Sequence, residues 1–116
     1  MTKLKLAHEA RNDIAQIGAY VSNELDNPEA ASRIQAQILK RARTLIEFPE
    51  LGALLSTIAP VQEKHRFLVT GSYIIIYRYD AQQNIVFVVR VLHGKRDFSK
   101  ILIDEYSGEE LATESN

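Results

Sequence analysis

The chain opens on a period of two. In residues 3–7 Leu4 and Leu6 share one side and Lys3 and Lys5 the other, which predicts a short, half-buried strand. From Ala10 the period lengthens. Ala10, Ile14, Ile17, Val21 and Leu25 recur at steps of three and four and form one apolar helical stripe. Asn27-Pro28-Glu29 then supplies a helix start: Asn as N-cap, Pro in the first turn, and an acid suited to the helix dipole. The second helix carries Ala31, Ile34, Ile38, Ala42 and Leu45 on one face and Arg33, Gln37, Lys40 and Arg41 on another. Phe48-Pro49 ends it, because proline disfavours helical geometry at the residue before it. So short a connection predicts an antiparallel helix hairpin.

Residues 49–62, with Pro49, Gly52 and Pro60, read as a loop. Three strand-like runs follow at 64–70, 73–80 and 85–92, joined by the turn Thr70-Gly71-Ser72 and a hairpin loop over 80–84. In the middle run Tyr73, Ile75, Tyr77 and Tyr79 oppose Ile74, Ile76 and Arg78. In the last run Ile85, Phe87, Val89 and Val91 oppose Val86, Val88, Arg90 and Leu92. Both faces of that run are largely apolar, so it belongs inside a sheet, with the helices over one side and something else over part of the other. The expected class is α+β: an N-terminal strand, an antiparallel helix hairpin, a three-strand antiparallel meander (β-α-α-β-β-β), and a short C-terminal segment.

Composition narrows the function. A chain of 116 residues suits one domain. It has no cysteine, which removes disulfides, thiolate metal sites and cysteine nucleophiles and fits a reducing compartment. No apolar run suits a membrane span or a signal-peptide centre, so the expected location is the cytoplasm. Phosphate-binding glycine loops and metalloprotease or hydrolase motifs are absent. His8, His65 and His93 fall in separate elements, so no metal site is expected.

The net charge of −1 averages two unlike parts. Residues 104–116 hold five acids and no base; residues 1–103, the expected domain, carry +4. Within it, residues 64–100 hold seven Lys and Arg against Asp80 and Asp97. A basic region followed by an acidic, flexible tail is the expectation, and the tail can fold back to screen that region.

The chemistry concentrates in RVLHGKRD, residues 90–97, which brings Arg90, His93, Lys95 and Arg96 to a strand end. Such a cluster can neutralise phosphate or hold an acidic peptide, and His93 can move a proton near neutral pH. The structural alternative pairs Arg90 with Asp97 or Asp80 and uses His93 to fill a gap; for His93 alone that reading is preferred. Tyr73, Tyr77 and Tyr79 invite RNA stacking, but packing at the core or its rim is the more ordinary role.

The ordered series EARNDIAQIGAYV, NPEAASRIQAQI, FPELG, HRFLV, SYIIIYRY and RVLHGKRD resembles the RelE/ParE superfamily of bacterial type II toxins, from about residue 3 to residue 103. The resemblance implies two helices on a small antiparallel sheet, no metal or other cofactor, and a toxin–antitoxin hetero-oligomer in which an antitoxin segment wraps the toxin. It also implies one of two activities. RelE-like members cut mRNA in the ribosomal A site; ParE-like members inhibit DNA gyrase. Ile74 stands where the RelE pattern has an arginine after the tyrosine that opens the middle strand, and Leu102 where it has a late tyrosine. Arg96 matches the remaining late arginine, and Arg66 or Lys64 the basic strand before. Glu63, Arg66 and His93 imitate a second nuclease set, with poor spacing. RVLHGKRD and YIIIYRY are closer to the ParE, plasmid-stabilisation branch. The resulting expectation is a gyrase-inhibiting toxin neutralised by a cognate antitoxin, with Arg66, Tyr77, Arg90, His93, Lys95 and Arg96 contacting target or antitoxin. The alternatives are a metal-independent mRNA endonuclease using Arg66, Arg90, His93 and Arg96, and a relative that has lost toxicity. In either toxic case the antitoxin is expected across the apolar and basic surface of strands and hairpin.

Overall fold

The computed structural model describes residues 2–58, 64–94 and 97. Strand β1 (Lys3–Leu6) leads into helix α1 (His8–Ala19), which continues as a π-helical turn over Tyr20–Glu24. Helix α2 (Pro28–Glu47) returns alongside, and β3 (His65–Thr70), β4 (Tyr73–Asp80) and β5 (Ile85–His93) form the meander. The loop expected over 49–62 holds more: a two-residue strand β2 (Ala53–Leu54) and a 3-10 turn over Leu55–Thr57. The sheet therefore has five strands in the order β1-β5-β4-β3-β2, with β1 parallel to β5 and the other pairs antiparallel.

Local chemistry explains the boundaries. Asn27 caps α2, its side-chain oxygen accepting from Ala30 N–H at 3.0 Å, and Phe48 ends it ahead of Pro49. Asn84 closes the β4–β5 hairpin at φ 58°, a conformation Asn tolerates. Its side chain accepts from the hydroxyls of Thr2 and Tyr79, and its carbonyl accepts from Lys3 N–H at 2.9 Å, fixing where β1 begins. The helices cross closely because Gly18 leaves room for the Gln35 side chain, which donates to the Ile14 carbonyl at 3.0 Å. The first apolar stripe stops short of its expected end: Val21 is buried, but Leu25, beyond the π-helical turn, is 58% exposed.

The main core lies between the hairpin and one sheet face. Ala10, Ile14, Ile38, Ala42 and Leu45 from the helices meet Leu68, Ile75, Tyr77, Val86, Val88 and Val91, with Leu4 and Leu6 packed alongside. Here β5 departs from simple alternation. Tyr77 lies opposite Val88 while Ile76 lies opposite Arg90, so Val89 is an extra residue in a β-bulge. The bulge shifts the phase by one, and Val91 joins Val86 and Val88 on the helix side instead of facing away with Val89. The opposite face has its own small core, in which Leu55 is fully buried against Ile76 and Leu92, with Phe67, Ile74 and Val89 around them. Leu55, from the turn after β2, is the cover that the doubly apolar last strand required.

Candidate functional site

The basic segment at the end of β5 starts from a gap in the sheet edge. β1 pairs with β5 only as far as Leu6 opposite Val88, after which the chain turns into α1. Asp13, one turn into α1, continues the edge: its Oδ2 accepts from Val91 N–H at 2.9 Å. The same carboxylate takes both arms of Arg90, Nε at 2.8 Å and Nη2 at 2.9 Å. Both side chains are 12% exposed. The sequence expected Arg90 at a partner surface, or else paired with Asp97 or Asp80. It forms a largely buried, two-pronged bridge to Asp13 between helix and sheet. Asp13 has a readable signal. It lies three residues after Ala10 and four before Ile17, a charged residue at a position of the apolar stripe, and such a residue needs a partner.

A second cluster explains FPELG. Arg66 and Tyr77 are directly opposite one another on β3 and β4 and grip Gly52 by both peptide groups. Gly52 N–H donates to the Tyr77 hydroxyl at 2.8 Å, and Gly52 C=O accepts from Arg66 Nη1 at 2.7 Å. Arg66 Nη2 also lies 3.5 Å from the Glu50 carboxylate. A side chain at 52 has no room: a Cβ would fall 2.5 Å from the Phe67 carbonyl and 2.8 Å from the Tyr77 ring. Burial pushes the Tyr77 phenol above its usual range, outweighing the Gly52 hydrogen bond and Arg66, which pull it down. Tyr77 was expected to pack at the core or its rim and also to contact a partner. It is fully buried in the main core, where its ring packs and its hydroxyl finds Gly52, so it offers no contact surface. Arg66 holds a loop in place, with its side chain 24% exposed.

His93 lies directly opposite Tyr73, their rings edge-to-face with centroids 5.6 Å apart. Hollows adjoin this pair on two sides. One, of about 290 Å³, opens between the hairpin end and the sheet, against Tyr20, Val21, Leu25, Ala30, Tyr73 and His93. Another, of about 570 Å³, lies against Val69, Ser72, Ile74, His93 and Gly94. A third, of about 330 Å³, shares Tyr20 with the first and reaches Asp13, Arg90 and Asp97. Tyr20 and Leu25 are 43% and 58% exposed. Neither stood among the expected contact residues; Leu25 read as part of the apolar helical stripe.

The structure thus disperses the expected set. Arg66 and Arg90 serve separate structural bridges, Tyr77 is interior, and His93 borders the hollows. Lys95, Arg96, Glu63 and Leu102, and the acidic segment 104–116, lie outside the described residues. Among the described residues no group of three His, Asp or Glu is placed to hold a metal ion, and no helix is long and apolar enough to cross a membrane.

A chain of the chromosomal ParDE toxin–antitoxin system of P. aeruginosa is similar, at 20% identity and a TM-score of 0.65, over 80% of this chain and 96% of that one. A chain of the RelBE2 toxin–antitoxin complex of Mycobacterium tuberculosis is similar at 22% identity and a TM-score of 0.58, over 79% and 96%. So is a chain of the intact E. coli RelBE complex, at 17% identity and a TM-score of 0.60, over 83% and 100%. No curated protein matches in sequence. The model of the family described as the ParE toxin of type II toxin–antitoxin systems, parDE, matches residues 4–98. The chain belongs to that ParE toxin family.

Proposed function

We propose that this toxin acts as a ParE-type inhibitor of DNA gyrase, in the cytoplasm, and does not cut mRNA. The reading rests on Ile74. In the RelE pattern that position carries an arginine facing the scissile phosphate, and removing such a cation removes stabilisation of charge developing in the transition state. Here Ile74 packs with Ile76, Leu92 and Leu55 in the apolar cluster on the outer sheet face, beside the equally apolar Phe67 and Val89. Arg66 and Arg90, the two described arginines of the alternative nuclease set, spend their donors on Gly52 and Asp13. A face of this kind suits protein contact better than phosphoryl chemistry.

Its solved relatives come from toxin–antitoxin complexes, and a cognate antitoxin is the partner we assign. The hollows around Tyr20, Tyr73 and His93, with exposed Leu25 beside them, offer apolar sockets for an antitoxin segment. The test is expression without the antitoxin. Growth should stop while mRNA in the arrested cells shows no new 5′ ends by primer extension, and the antitoxin should restore growth. New ends within coding sequences would overturn the reading. Normal growth with soluble, folded toxin would point to lost toxicity.

A further inference from the structure

The outer sheet face divides into two halves of unlike chemistry. Around Leu55 it is apolar. Towards the start of β5 it becomes cationic. Leu4 and Leu6 join the core beneath the helices, so Lys3 and Lys5, which alternate with them, face outward. Lys5 is opposite Phe87, Phe87 opposite Arg78, and Arg78 opposite His65, one row across four strands. Lys3 stands one step along, opposite Ile85, and Lys64 immediately precedes His65. The Arg78 guanidinium lies over the Phe87 ring, 4.7 Å from its centroid. Lys3, Lys5 and Lys64 are exposed, and among the described residues no ion pair joins them or Arg78 to a carboxylate. The acid nearest in register, Asp80, accepts from Gln83 N–H in the hairpin turn at 3.1 Å.

We propose that this row is a contact surface for the phosphate backbone of duplex DNA. The row crosses the sheet face from the edge strand β1 to β3, and its exposed side chains are cationic, so it offers a peptide no apolar socket for its side chains. Cations without a carboxylate partner are what a polyphosphate needs. The one aromatic ring is already covered by Arg78, so it gives no platform for the bases of a single strand. Four strands spaced about 4.8 Å apart put Lys5 about 14 Å from the β3 end of the row, where Lys64 precedes His65, enough to reach phosphates on both sides of a groove about 12 Å wide. The contact is to backbone alone and is independent of sequence. It does not depend on whether gyrase is the target.

The test is fluorescence anisotropy of the full chain with a short labelled DNA duplex, titrated with salt. Three to four phosphate contacts give log affinity a slope against log salt of about −3. Lys3→Gln/Lys5→Gln should weaken binding about tenfold and flatten the slope by about two, and Lys64→Gln, outside every strand, should flatten it by about one. Arg33→Gln/Lys40→Gln, exposed on α2, should change neither. Equal loss from the α2 pair, no loss from the row variants, or tighter row-dependent binding of single-stranded RNA than of the duplex would each overturn the assignment. So would displacement of the duplex by polyglutamate at matched charge.

Discussion

Asp13 and Arg90 meet through two charge-assisted hydrogen bonds of 2.8 and 2.9 Å, and the same carboxylate accepts Val91 N–H at 2.9 Å. One side chain thus completes a sheet edge that β1 leaves open and ties the helix hairpin to it. Both partners are largely buried, so removing one strands the other. Asp13→Ala should cost about 3 kcal/mol in a denaturant titration. Asp13→Leu combined with Arg90→Met should cost less than Asp13→Ala alone, since no charge is left unpaired. A double variant at least as unstable as the single one would contradict that account.

Gly52 is held by Tyr77 on its amide and by Arg66 on its carbonyl. Tyr77→Phe keeps the ring in the core but leaves a buried N–H without its acceptor, a loss of about 1–3 kcal/mol. Gly52→Ala should be worse, because the new Cβ meets the Phe67 carbonyl, which cannot step aside without disturbing β3. Thermal melting of the two variants, with Arg66→Gln for comparison, gives the ranking directly.

Leu55 is fully buried although it lies in an irregular segment. Leu55→Ala should lower stability by about 2–4 kcal/mol, as for a core leucine. It should also uncover Ile76 and Leu92, raising dye binding to exposed apolar surface. A change within experimental error would mean that the outer-face cluster contributes little.

His65 has its pKa lowered from the ordinary 6.5 by burial first and by the Lys64 and Arg78 charges next. The sign follows from linkage. Below about 6.5 the unfolded chain takes up a proton at this residue that the folded chain resists, so this contribution is present above 6.5 and is lost as pH falls through the folded pKa. Unfolding midpoints at several pH values between 7.5 and 5 should fall with pH, and less steeply in His65→Gln. Parallel curves for the two proteins would refute the assignment to His65.

What could be read from the sequence divides by period. The α2 stripe of Ala31, Ile38, Ala42 and Leu45 is buried as its spacing predicts, and Asn27 caps as expected. The need for cover on both faces of the last strand was also legible, but its source was not. Leu55 sits in a short turn with no periodicity to mark it. Val91 was placed on the wrong face because a single extra residue at Val89 reverses every later position, and nothing in a run of valines marks a bulge. Tyr77 alternates like Tyr73 and Tyr79; only the Gly52 amide waiting above the core separates it from a rim tyrosine. Arg90 was read as a partner contact or as the mate of Asp97 or Asp80, and Asp13 was missed because it lies in another element, although it announced the need for a cation by interrupting an apolar stripe.

Purified toxin should be added to DNA gyrase with relaxed plasmid and ATP, and in parallel to a translation extract with labelled mRNA. Supercoiling should be lost as toxin is added and recover when the cognate antitoxin is supplied, while the mRNA stays intact. Unimpaired supercoiling with mRNA cut on the ribosome would contradict the account and make this chain a nuclease despite Ile74.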